Sequence, residues 1–151
     1  MNSSDLKLLF KPDYTPRQMF SKGIFGGNYF NKDIGLPPIN RIGLEPKALS
    51  MLKTLNVNTY SNPNPSPDNN FYGVNCGASF EFWTEKGWLR DQDPYGWVNW
   101  YLNYYYGRTS VDDSRQIKRW KNFKIRHQGM LRKYPTSKKI KQALLHWAIK
   151  A

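Results

Sequence analysis

At 151 residues the chain is long enough to bury roughly 70% of its unfolded surface without covalent staples, and its single cysteine, Cys76, excludes an internal disulfide framework. Lys and Arg outnumber Asp and Glu 23 to 11, and the whole excess lies at one end: Ser114 to Ala151 carries twelve basic residues and no carboxylate, while the first 113 residues carry eleven of each. No apolar run is long enough to span a bilayer and Met1 to Phe10 lacks the apolar stretch of a secretory leader, so we expect one soluble, intracellular domain over residues 1–151 with no membrane partner.

In chain order, residues 1–14 read as an extended arm. Thr15-Pro16-Arg17-Gln18 is a helix start, with Thr15 as cap, Pro16 in the first position and Gln18 reaching back. Gly23 and Gly26-Gly27 stop that helix early. Residues 31–43, rich in Gly, Pro and Asn, read as loop. A second helix is predicted from Glu45 to Leu55, with Leu44, Ala48, Met51, Leu52 and Leu55 on one side. Ser61 to Asn70 (SNPNPSPDNN) is a flexible loop by composition, because its closely spaced prolines forbid both helix and central strand. Residues 71–90 alternate briefly (Ser79-Phe80-Glu81-Phe82) between glycines and predict a small β or irregular element.

Asp93-Pro94 predicts the start of a helix, with Asp93 as cap, running to Gly107. Trp97, Val98, Trp100, Tyr101, Leu102, Tyr104 and Tyr105 surround it with apolar groups, so it should be the most buried helix. Ser110, with Asp113 three residues on, predicts the next start, carrying Ile117, Trp120 and Phe123 inward and fraying near Gln128-Gly129. The last helix begins at Thr136 or Ser137; Ile140, Ala143, Leu144, Trp147 and Ala148 keep strict helical spacing. The fold class expected is therefore mainly α: a compact helical domain with a basic C-terminal helical segment, 110–150.

The strings Asp93-Pro94-Tyr95-Gly96-Trp97, Tyr104-Tyr105-Tyr106-Gly107-Arg108, Asp112-Asp113-Ser114-Arg115-Gln116-Ile117-Lys118-Arg119-Trp120 and Gln142-Ala143-Leu144-Leu145-His146-Trp147 resemble a family of small basic proteins found among viral, microbial and fungal sequences. Tyr14-Thr15-Pro16-Arg17-Gln18-Met19 and Gly26-Gly27 are similar to the start of that family. The strings cover under half of the chain but recur from end to end. The resemblance implies one domain and transfers no catalytic residue. The Asn/Pro-rich loop falls outside its pattern and reads as a variable insertion.

The chemistry the residues point to is recognition of a polyanion. Cations without interleaved carboxylates build a field of one sign, which attracts nucleic acid. Lys138, Lys139 and Lys141 lie in the first turn of a helix, where cations oppose the dipole, an arrangement that an anion would relieve. The candidate contacts are Arg108, Arg115, Lys118, Arg119, Lys121, Arg126, Lys138, Lys139 and Lys141, with exposed Tyr or Trp adding base stacking. Six to eight phosphate contacts on DNA predict a log–log salt slope of about −5 to −7. DNA and RNA are equally compatible with this pattern. Arg108, at the joint between two helices, suits either that surface or helix-end carbonyls.

Two alternatives come from other classes. One is an enzyme acting on nucleic acid: a metal nuclease drawing on Asp91, Asp93, Asp112 and Asp113, or a base-excision type using Glu81, Glu85 or Asp91 with an aromatic wedge. Asp93 and Asp113 already have uses as caps, and the two acidic pairs stand at opposite ends of one helix, about 20 Å apart. The other is a scaffold that binds an acidic protein. His127, His146 and Cys76 are too few for a structural zinc site, and Gly23 to Gly27 lacks the Lys-Ser/Thr of a phosphate loop. Cys76 reads as a buried thiol and His127 as a core or boundary histidine. No metal or cofactor is expected.

Overall fold

The computed structural model describes residues 3–30, 39, 41–76 and 92–151. Among them are six α-helices and no sheet, in agreement with the expected mainly α class. They are α1 (Ser3–Leu9), α2 (Pro16–Lys22), α3 (Pro46–Lys53), α4 (Trp97–Tyr105), α5 (Asp113–Lys133) and α6 (Lys138–His146). Three single 3-10 turns, Phe25–Gly27, Val57–Thr59 and Pro67–Asn69, punctuate the first half.

The N-terminal arm is not extended. Ser3–Leu9 is helical, and Leu6 and Phe10, one turn apart, both face the core. Phe10 sits inside a cage of Trp97, Trp100, Tyr101, Tyr104 and Trp120, with ring centroids 5.0–6.2 Å away. Tertiary burial of one aromatic ring thus supplies what local propensity does not. The α2 start follows the sequence: Gln18 N–H donates to Thr15 Oγ1 and Thr15 N–H to Gln18 Oε1, a closed capping box. The helix predicted over 45–55 is Pro46–Lys53, with Ala48, Met51 and Leu52 buried.

Residues 61–70 are irregular, as their composition predicts, and they are tied down along one strip. Asn62 N–H donates to Gly27 O at 2.9 Å, Gly26 N–H to Asn70 Oδ1 at 2.8 Å and Phe71 N–H to Gly23 O at 3.1 Å. Gly27 has φ 85°, and a Cβ there would fall 2.5 Å from the Asn58 carbonyl oxygen, so two separate constraints demand glycine. Residues 71–76 form turns and no strand; the remainder of the element predicted over 71–90 lies outside the described residues.

α4 is the central helix, buried from Trp97 through Asn103, but it begins later than predicted. Asp93 is not its cap. Asp93-Pro94-Tyr95-Gly96 is instead a turn closed by Gly96 N–H on Asp93 O at 3.0 Å, with Pro94 in the second position. Gly96, at φ 103°, then opens the helix. The Asp93 side chain points inward, where three amides (Gln92, Asn99 and Asn103) and a guanidinium take it up. At the other end Gly107 stops the helix as predicted, through a Schellman motif: Gly107 N–H donates to Tyr104 O and Arg108 N–H to Asn103 O. That geometry turns Arg108 back towards Asp93.

α5 starts at Asp113, two residues beyond the predicted opening. Asp113 accepts from Ser110 N–H at 3.0 Å, the reach-back half of a capping box, while Ser110 Oγ donates to the same carboxylate at 2.8 Å rather than accepting from the helix. The helix does not fray at Gln128-Gly129. It runs on to Lys133, 21 residues or about 32 Å. Ser137 caps α6 as predicted, accepting from Ile140 N–H. Beyond α6 the chain closes on its own start: Asp13 N–H donates to Ala148 O at 2.7 Å and Lys150 N–H to Asp13 Oδ2 at 2.8 Å.

Candidate nucleic-acid interface

The acidic residues nearest the basic segment are all engaged. Asp93 is buried and takes the two terminal guanidinium nitrogens of Arg108, Nη1 and Nη2, at 2.8 and 2.6 Å, plus Asn103 Nδ2 at 3.0 Å. Asp112 holds Arg115 across one turn, with Arg115 Nη2 2.8 Å from Oδ2. Asp113 accepts from Trp100 Nε1 at 2.9 Å and from Ser110, and Lys7 Nζ stands 3.7 Å away. The two acidic ends of α4 are not far apart as expected, because Gln92 Nε2 donates both to Asp93 and to Ser110, which donates to Asp113. Even so, no group of three or more metal-ligating side chains occurs among the described residues. Glu81, Glu85 and Asp91 lie outside the described residues.

Arg108 therefore serves neither of its two expected roles. It is a structural counter-ion whose bidentate fork matches the Asp93 carboxylate. Arg115 is committed in the same way, though nearer the surface.

The remaining predicted contacts divide by helical phase. On α5, Arg119 and Arg126 fall about 100–120° to one side of the inward-facing Trp120, and Lys118 and Lys121 about 100–160° to the other. On α6, Lys138 and Lys141 lie about 140–160° round from Ala143. Arg119, Arg126 and Lys139 are the three that converge, on a cleft of about 680 Å³ between α5, α6 and the Phe25–Gly27 turn. Lys118, Lys121, Lys138 and Lys141 face other sides.

The cleft is aromatic on both flanks. One wall comes from α5 and the end of α6. There His127 stacks on Phe123 (centroids 3.7 Å, planes 15° apart), and Phe123 stacks on Trp147 (4.6 Å, 16°). Trp120 Nε1 fixes this wall by donating to Trp147 O at 2.9 Å. The opposite wall is Phe25, Tyr29 and His146, with Phe25 and His146 stacked at 4.0 Å. Guanidinium groups lean on the first wall, Arg119 over Trp147 at 5.4 Å and Arg126 over Phe123 at 6.0 Å. No Asp or Glu is among the described residues that line the cleft.

The titratable groups here have assigned jobs. His146 Nε2 accepts from Phe25 N–H at 3.2 Å and faces Gln142 Nε2 at 3.0 Å, so its proton sits on Nδ1. Burial pushes its pKa down to about 3, which keeps the ring neutral. His127 is lowered too, chiefly by burial, and is the boundary histidine its position predicts. Burial raises Tyr29, whose hydroxyl donates to Tyr95 O and accepts from Asn99 N–H. The positive charge at the cleft thus comes from Arg119, Arg126 and Lys139. Cys76 is half-buried, not buried, at the cleft margin, with Sγ 3.7 Å from Lys139 O.

Sequence reasoning singles out neither Phe25 nor Tyr29, and it reads Trp147 only as an inward position of the last helix. The high aromatic content signals that platforms exist, but only the packing of distant segments selects which rings line a cleft. No helix among the described residues is long and apolar enough to cross a membrane. No protein-family model, no curated protein and no solved structure matches this chain.

Proposed function

We propose that this protein binds nucleic acid through the α5–α6 cleft and the cationic side of α5 beside it. The observation that carries the reading is the convergence of Arg119, Arg126 and Lys139, drawn from two helices, on an aromatic cleft that no described carboxylate lines. Guanidinium forks suit phosphate oxygens, and aromatic walls suit base faces. The carboxylates of the neighbouring joint are matched internally, so they do not cancel the field at the cleft. With Arg108 and Arg115 paired to carboxylates and Arg119 Nη1 donating to Gln116 Oε1 at 2.9 Å, two to four phosphate contacts remain, and the log–log salt slope expected falls to about −1.5 to −3.5.

Fluorescence anisotropy with labelled single-stranded and duplex oligonucleotides over a salt series tests this. Binding that weakens along that slope supports it. A slope near zero, or equal binding of poly-glutamate, overturns it in favour of a general acidic-partner surface.

A further inference from the structure

We infer that this protein bridges two nucleic-acid segments, one held at the cleft and a second along the flank of α5 that faces away from it. This rests on the reading above and extends it from one bound backbone to two. The last buried residue of α5 is Trp120, and the stretch from Lys121 to Lys133, about 20 Å of helix, buries none. The exposed cations form two rows. Lys118, Lys121 and Arg132 fall within about 60° of one another on the far flank. Arg126 and Lys133 fall within about 20° of one another on the cleft flank, where Arg126 shares the cleft lining with Lys139 of α6. The rows stand about 100° apart, and the line between them carries Asn122 and Gly129 and no charge.

Among the described residues the ion pairs belong to other cations, Lys7, Arg108 and Arg115. Arg126 lies over Phe123 at 6.0 Å and Lys133 over Tyr134 at 5.5 Å, contacts that orient a cation without neutralising it. Packing makes the rows two sites and not one broad one. Phe123 stacks on Trp147, so the end of α6 closes against the cleft flank of α5. A strand lodged between α5 and α6 follows that flank and leaves the opposite one uncovered. The helix between the flanks is about 10–12 Å across, more than the Debye length of about 8 Å at physiological salt. Phosphates on one side therefore do little for the cations on the other, and the far row keeps its attraction for a second polyanion. Lys118 and Arg132 stand about 21 Å apart along the axis, a span that suits a polymer of phosphates and not a small anion.

Energy transfer between two strands separates bridging from binding. Oligothymidylates labelled with donor in one pool and acceptor in another do not pair with each other; blunt duplexes labelled the same way run in parallel. With the wild-type protein at physiological salt, transfer should peak at about one protein to two strands and fall again when protein is in excess, as a bivalent linker requires. The triple variant Lys118→Gln, Lys121→Gln, Arg132→Gln should abolish transfer while its anisotropy-measured affinity for one labelled strand stays within about threefold of wild type. Circular dichroism checks that the variant is folded, and Lys121→Glu alone reads the same transfer if it is not.

Ordinary binding without transfer at any ratio, with either probe, overturns the inference and leaves the proposed function standing. Transfer that survives loss of the far row overturns it too, because the bridge then comes from elsewhere, such as paired copies of the chain. An affinity loss in the folded triple variant as large as that of Arg126→Ala overturns it in favour of one segment spanning both rows. Failure to bind either probe even at low salt overturns both readings.

Discussion

The joint at residues 93–113 and the segment from Ser114 to Ala151 handle charge in opposite ways. In the joint each described carboxylate has a named partner: Arg108 for Asp93, Arg115 for Asp112, and Trp100 and Ser110 for Asp113. In the segment there is no carboxylate at all, and most of its cations meet solvent. The difference separates charge that holds the fold from charge that is left for a ligand. Composition cannot make that distinction, since Arg108 and Arg126 are the same residue type eighteen positions apart.

The largest effect is expected where matching is most buried. The Arg108 side chain is 18% exposed and that of Asp93 0%. Asp93→Ala strands the guanidinium without its counter-ion and leaves the Asn103 amide short of an acceptor, so it should cost about 3–5 kcal/mol. Urea unfolding measures this directly. Replacing both partners with apolar residues of similar volume should cost less than either single change. A loss below about 1 kcal/mol for Asp93→Ala would dissolve the contrast between the two regions.

The second test concerns the one place where the basic segment behaves like the joint. His146 lies within it yet is buried and excludes charge. Its folded pKa of about 3 is below the unfolded value of about 6.5, so the unfolded chain takes up a proton that the native state refuses. Stability is therefore complete above that unfolded value and declines as pH falls towards the folded one, at a limiting slope of about 1.4 kcal/mol per pH unit. Urea midpoints taken from neutral pH to about pH 4.5 should show the decline, and His146→Gln should flatten it. An unchanged slope in the variant would show that His146 is not its cause.

Much of this division was legible in the sequence, and the part that was not has a common cause. Charge asymmetry, the Thr15 box, the Gly107 stop and the Ser137 cap depend on residues within a few positions of one another. The start of α4 was misjudged because Asp-Pro is a cap signal and a turn signal alike, and only the distant Arg108 decides between them. α1 was missed because its stability comes from Phe10 entering a cage built by α4 and α5. The cleft has the same origin. Helical spacing places Phe123 and Trp147 inward, but no local pattern tells that a gap remains between their wall and Phe25, some hundred residues earlier in the chain. Nine cations were equivalent as letters; phase and partners leave three at the cleft.

Substitutions at two of those three sharpen the contrast from the other side. Arg126→Ala and Lys139→Ala remove exposed charges and should alter stability by no more than about 0.5 kcal/mol. Each should instead lower oligonucleotide affinity and reduce the salt slope by about 0.7–0.9. Lys118→Ala and Lys121→Ala, on the far side of α5, should change both readings less. Equal effects from all four would mean that the whole circumference of α5 acts as a diffuse cationic rod and that the cleft has no privileged part.

Arg115 is the smallest and most discriminating case, because it belongs to the segment by position and to the joint by partner. Its pair with Asp112 spans one helical turn and its side chain keeps 27% exposure, so water competes for both groups. Such pairs are worth about 0.2–0.5 kcal/mol, a tenth of what the buried Asp93–Arg108 pair should show. Asp112 also precedes the first turn of α5, where the helix dipole favours a carboxylate with or without Arg115. Arg115→Ala should therefore shift the urea midpoint barely above error and leave oligonucleotide affinity unchanged, since the side chain is already spoken for. A stability loss above about 1 kcal/mol would class it with Arg108 as part of the fold. A loss of affinity as large as that of Arg126→Ala would mean that the Asp112 pair opens when a strand arrives, and that matching at the joint yields to the ligand.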